Sequence, residues 1–129
     1  MSATSTPSSE HAVIYVGAAS LSMVIGSTRE NGGFREVEHL DRPLPMARDI
    51  FRTGTTTRST MEQAAAILRD YLLTTREYGL PLEAIRLHTT NILAEATNHE
   101  IFLNRLQVTI GLAPRLIDDG DMKIGRAHV

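Results

Sequence analysis

The stretch HAVIYVGAASLSMVI, His11 to Ile25, decides the fold. Val13, Ile14 and Val16 precede Gly17-Ala18-Ala19, and Met23, Val24 and Ile25 follow it, so the run reads as two short apolar strands joined by a small-residue turn. A turn of Gly, Ala and Ser lets another group approach the backbone, and its N–H groups can point at an anion. The same residues also suit a plain tight hairpin, and taken alone they favour that reading.

Around this stretch, 129 residues suffice for one core and not for two. Hydrophobic residues at 42% and charged residues at 22% place the chain among globular proteins. No apolar run is long enough to span a bilayer, and the first ten residues lack a signal peptide's basic start and apolar core. A cytoplasmic protein without a membrane partner is expected. The absence of cysteine excludes disulfides, a thiolate nucleophile and Cys-ligated metal. A net charge of −2 with no Lys/Arg run argues against nucleic acid as a partner.

The two ends fall outside the fold reasoning. Residues 1–10 read as a disordered leader, small and polar from Met1 to Ser9. Residues 123–129, Lys-Ile-Gly-Arg-Ala-His-Val, read as the translation of a sequencing adapter whose next letters spell a stop codon. They are treated as a scar, and the natural chain is expected to run to Met122 and beyond. The lobe proper is then residues 11–122.

Past the hairpin, Asn31-Gly32-Gly33 predicts a turn and Phe34 to Leu40 a third antiparallel strand. Asp41 to Thr57, with Pro43, Pro45 and Gly54, reads as a long connection holding a short helical turn at Pro45 to Phe51. Ser59 with Glu62, and Thr60 with Gln63, form capping boxes for a helix through Met61, Ala64, Ile67, Leu68, Tyr71 and Leu72, which Gly79 and Pro81 end. Leu82 to Leu87 predicts a buried strand that Thr89-Thr90-Asn91 breaks. Thr97 with Glu100 forms a capping box opening a helix through Ile101, Phe102, Leu103, Leu106 and Ile110 that Gly111 ends, and Pro114 to Ile117 predicts a last strand. The order βββαβαβ implies an α/β fold with a mixed sheet. Its functional loops gather at strand ends: the Gly17 turn, Thr89 to Asn98, and Asp118 to Asp121.

From Ala12 to Asp121 the chain resembles the N-terminal lobe of the exopolyphosphatase and guanosine pentaphosphate phosphohydrolase (Ppx/GppA) family, within the actin-like, ribonuclease-H-like ATPase superfamily. The family's Asp-x-Gly-Ser-Asn-Ser falls on Tyr15 to Ser20, where Gly17 and Ser20 match. Its motif Ala-Thr-Ser-Ala-Leu-Arg-Glu-Ala-x-Asn falls on Thr89 to Asn98, where Thr90, Leu93, Glu95, Ala96 and Asn98 match, followed by Phe102 and Leu103. A third motif, Ser-Gly-x-Glu-Glu-Ala, lies on Asp118 to Met122 and onward, with Asp121 standing in for an acid. Arg48 to Gly54 also resembles the family's segment before its first helix.

The resemblance implies phosphoanhydride hydrolysis with polyphosphate or guanosine pentaphosphate as ligand. It also implies Mg²⁺ in the complete protein and a second lobe closing the cleft. It assigns phosphate binding to Gly17, Ala18, Ser20, Thr89 and Thr90, and catalysis to Asp121 and Glu95. Tyr15 replaces the family's metal-binding Asp and Ala94 its phosphate-binding Arg, so the site is depleted. No metal ligands are assigned. An inactive fragment of a phosphatase, a non-catalytic phosphate or nucleotide sensor and a purely structural module all remain open. Glu95 and Asn98 also suit a loop and a helix cap, the aspartates a solvated turn, and His88 a hydrogen-bonded interior position.

Overall fold

The computed structural model describes residues 10–30 and 32–117. The hairpin forms as expected: β1 (Glu10–Val16) pairs antiparallel with β2 (Ser20–Thr28), and β2 with β3 (Phe34–Pro43). Glu10, placed with the leader, is instead the first residue of β1. β4 (Ile85–Thr90) adds parallel to β1, and β5 (Arg115–Ile117) adds parallel to β4. The sheet order is β3-β2-β1-β4-β5, so the His11–Ile25 stretch is its centre.

Alternation of side chains separates the two faces. Ala12, Ile14 and Val16, Leu21, Met23 and Ile25, and Ile85 and Leu87 are all buried on one face. Against them pack α2 (Arg58–Glu77), through Ala64, Leu68 and Tyr71, and α3 (His99–Ile110), through Phe102, Leu106 and Ile110. Each large apolar side chain buried this way contributes about 1.5–3 kcal/mol. Two tyrosines tie α2 to the meander. Tyr71 donates its hydroxyl to the Leu21 carbonyl at 2.7 Å, and burial pushes its pKa up to about 12. Tyr78 donates to Glu38 at 2.8 Å.

Several local expectations change. The connection after β3 contains a full helix, α1 (Met46–Thr53), so the chain order is βββααβαβ. Buried Leu44 and Met46 anchor its start, which a reading dominated by Pro43 and Pro45 misses. Thr57, and neither Ser59 nor Thr60, caps α2, accepting from the Thr60 N–H. The Thr97–Glu100 box does not open α3, which starts at His99. β4 begins after a 3₁₀ turn at Leu82–Ala84 and runs through Thr89 and Thr90. The strand tolerates Thr89 because its hydroxyl donates to the Val16 carbonyl at 3.3 Å. Gly79 and Gly111 end their helices with φ of 74° and 84°, as expected. Among the described residues no helix is long and apolar enough to cross a membrane.

Candidate anion turn and its neighbouring groove

Because β1, β4 and β5 run parallel, their carboxyl ends share one edge of the sheet. Two of the three expected loops meet there: the Gly17 turn after β1 and the 3₁₀ turn Asn91–Glu95 after β4. The third begins where the described residues end, so Asp118, Asp119 and Asp121 lie outside them.

The turn is held by its own backbone. The Gly17 N–H donates to the Ser20 carbonyl at 2.8 Å. The Ala18 carbonyl accepts from the Ala47 N–H at 2.8 Å, and the Ala19 carbonyl from the Leu44 N–H at 3.0 Å. The Ala18 carbonyl is thus committed to the first turn of α1 and the Ala19 carbonyl to the link that precedes it. The N–H groups of Ala18 and Ala19 have no acceptor among the described residues. Unpaired successive N–H groups in a turn form an anion-binding concavity. Gly17 is buried, and a Cβ there would sit 3.0 Å from Tyr15 Cε2 and 3.2 Å from the Ser20 carbonyl, so any larger residue presses on the turn itself. Ser20 opens β2 and is partly exposed.

The threonines assigned to phosphate are not presented to a ligand. Thr89 and Thr90 are fully buried. The Thr89 hydroxyl is engaged with Val16, and the Thr90 oxygen accepts from the Ile92 N–H at 3.3 Å. Their position at the end of a central strand explains both facts, and the candidate anion set contracts to Gly17, Ala18, Ala19 and Ser20. Glu95 is exposed at the end of the 3₁₀ turn, on a groove of about 390 Å³ that it shares with Ala47, Ile50, Phe51, Gly54 and Ile92. Tyr15 presents a phenol, and Ala94 carries no charge. No cluster of three His, Asp or Glu able to hold a metal occurs among the described residues.

Two side chains organise this edge: Asp49, to which the sequence reading gave no role, and Asn98, which it read as a motif residue or helix cap. Asp49 on α1 is buried, and its carboxylate accepts from the Thr57 N–H at 3.1 Å, the Thr57 hydroxyl at 2.8 Å and the Thr60 hydroxyl. Asn98 is no cap. Its oxygen accepts from the Thr56 N–H at 3.0 Å, and its amide donates to the Thr56 carbonyl at 2.8 Å. The run of threonines from Thr55 to Thr57 was the available signal, since hydroxyls and turn amides seek carboxylate or amide partners. His88 also differs from expectation: its buried Nδ1 has no hydrogen-bond partner among the described residues. Burial, with Arg115 and Arg86 nearby, lowers its pKa.

This sheet, with its meander, parallel extension and helices on one face, defines an α/β lobe of the actin-like ATPase type. The solved structures that it matches include Ppx/GppA proteins and exopolyphosphatases. A family member from Aquifex aeolicus aligns at a TM-score of 0.79 with 21% identity, over 89% of this chain and 37% of its own. An exopolyphosphatase-like protein aligns at 0.77 with 22% identity, over 90% and 34%. An exopolyphosphatase from Cytophaga hutchinsonii aligns at 0.74 with 14% identity, over 86% and 35%. The chain therefore spans about a third of the length of these proteins. At such identities the likeness shows the fold. No family model and no curated protein matches the sequence.

Proposed function

We propose that this chain is one lobe of a cytoplasmic Ppx/GppA-like protein that binds the phosphates of polyphosphate or guanosine pentaphosphate at the Gly17–Ser20 turn. The observation that carries the reading is the pair of unpaired N–H groups at Ala18 and Ala19, at the edge of the sheet where the loops after β1 and β4 meet. Phosphoanhydride hydrolysis also needs a carboxylate to orient water and charge to offset the leaving phosphate. Of the two acids assigned to catalysis, Asp121 keeps the role toward water in this reading. Mg²⁺ and the second lobe belong to the complete protein.

The 129-residue chain with Mg²⁺ is expected to release no phosphate from tripolyphosphate or guanosine pentaphosphate above the buffer background. It is expected to bind tripolyphosphate saturably by calorimetry. Ala19→Pro, which removes one N–H, weakens that binding about tenfold, the worth of one charge-assisted hydrogen bond. Turnover by the chain alone, or binding indifferent to Ala19→Pro in a variant with unchanged circular dichroism, sinks the proposal. A second reading, a non-catalytic sensor, is favoured by Tyr15 and Ala94 standing where the resembled enzymes carry Asp and Arg. Binding without hydrolysis by a longer protein that includes the second lobe selects it.

A further inference from the structure

We infer that the groove over β1, β4 and β5, on the sheet face away from α2 and α3, is a second binding site, for a small organic dicarboxylate held by Arg86, Arg115 and the His88 ring. No residue of the Gly17 turn lines this groove, so the two sites are separate.

The sheet brings the three cationic or donor side chains together. Residues two apart on a strand share a face, so Arg86 and His88 of β4 stand side by side. Arg115 of β5 is the ladder partner of His88. Strand spacing and rise therefore put the Cα atoms of Arg86 and Arg115 about 8 Å apart, with His88 at the corner between them. Among the described residues neither guanidinium has an ion pair or hydrogen bond. The buried Nδ1 of His88 leaves Nε2 as the ring nitrogen open to the groove that His88 lines.

The chemistry of the walls decides the ligand. Guanidinium forks bind carboxylates through paired N–H donors, and two forks at this separation suit one carboxylate each, joined by a short chain. The groove measures about 760 Å³, far more than an inorganic anion fills, and Val13, Leu112 and Ala113 give it apolar wall for an aliphatic body. Val13 is the ladder partner of Arg86, so apolar contact lies beside the charge. Glu10 and Glu83 line the other end, where β1 and β4 begin. An acidic polypeptide or long polyanion laid along the groove would run onto these two acids, whereas a short dicarboxylate ends before them.

The test titrates glutarate, acetate, inorganic phosphate and an oligoglutamate peptide into the 129-residue chain, and glutarate into Arg86→Gln and Arg115→Gln. Both substitutions are at exposed positions, and circular dichroism checks that each variant is folded. Glutarate is expected to bind saturably and at least tenfold tighter than acetate or phosphate. It should shift the His88 ring signals in NMR spectra and leave those of His39 and His99, which do not line the groove, in place. Each arginine variant weakens glutarate binding about tenfold, the worth of one charge-assisted pair. Tighter binding of oligoglutamate than of glutarate overturns the small-molecule assignment in favour of an acidic polypeptide. Equal binding of all four probes overturns it in favour of an unselective cationic patch. Absence of glutarate binding, or binding indifferent to both arginines, overturns the site itself, and the Gly17 turn still stands if tripolyphosphate binds.

Discussion

At the scale of single residues, Asp49 carries the clearest electrostatic consequence. Burial by itself raises a carboxyl pKa, but the hydrogen bonds from Thr60 and Thr57, with the charge of Arg48, outweigh it and hold Asp49 below its ordinary value of 3.8. A depressed carboxyl pKa stabilises the folded state fully above the unfolded value, and this contribution is lost as pH falls through the folded value. Asp49→Asn keeps the volume and one acceptor but loses the charge. It is expected to cost about 1–3 kcal/mol at neutral pH. The variant's acid limb should also be flatter, because the stability that the wild type loses below pH 3.8 is already missing. Urea midpoints measured from neutral pH into acid check this, and parallel pH profiles for the two proteins would contradict it.

At the scale of elements, the sequence was legible wherever one periodicity and one stop signal agreed. β1 and β2 follow from alternating β-branched residues, and the ends of α2 and α3 follow from Gly79 and Gly111. Capping and the site were less legible because those side chains act across the chain. Asn98 sits four positions before Phe102, where a local pattern reads it as a cap, yet its partner is Thr56, forty-two residues away. Thr89 and Thr90 read as loop residues because nothing local reveals the Val16 carbonyl waiting on the neighbouring strand. The Asn98–Thr56 pair joins the α1–α2 loop to the start of α3. Asn98→Ala leaves the buried Thr56 N–H and hydroxyl without their acceptor, at an expected cost of about 1–3 kcal/mol. Hydrogen exchange at the Thr56 and Thr97 amides should quicken more than at the amides of β1, since the first two hold this junction and the last belong to the sheet centre. A uniform change across all three would mean that Asn98 contributes only to global stability.

At the scale of the whole molecule, the sheet is covered unequally. α2 and α3 share the core with Ile14, Met23 and Leu87, while Val13, Tyr15, Ser22, Val24 and His88 on the other face stay partly exposed among the described residues. Sheets with parallel strands are commonly covered on both faces. The solved proteins of this fold are almost three times as long as the stretch that matches, so cover from elsewhere in a longer chain is consistent with this asymmetry. The asymmetry gives a sharp comparison between neighbours on β2. Met23 is 1% exposed and faces the helices, and Val24, one residue on, faces away. Met23→Ala is expected to cost about 2–5 kcal/mol through lost burial and a cavity. Val24→Ala removes methyl groups that little surrounds in this chain, and should cost less than about 1 kcal/mol. Chemical denaturation of the two variants separates the faces directly. In a longer chain whose additional segment covers the outer face, the Val24→Ala cost should rise toward a core value while the Met23→Ala cost stays where it was. An equal and large cost for both variants in the 129-residue chain would mean that the outer face is already packed, and the one-sided picture of this lobe would fall.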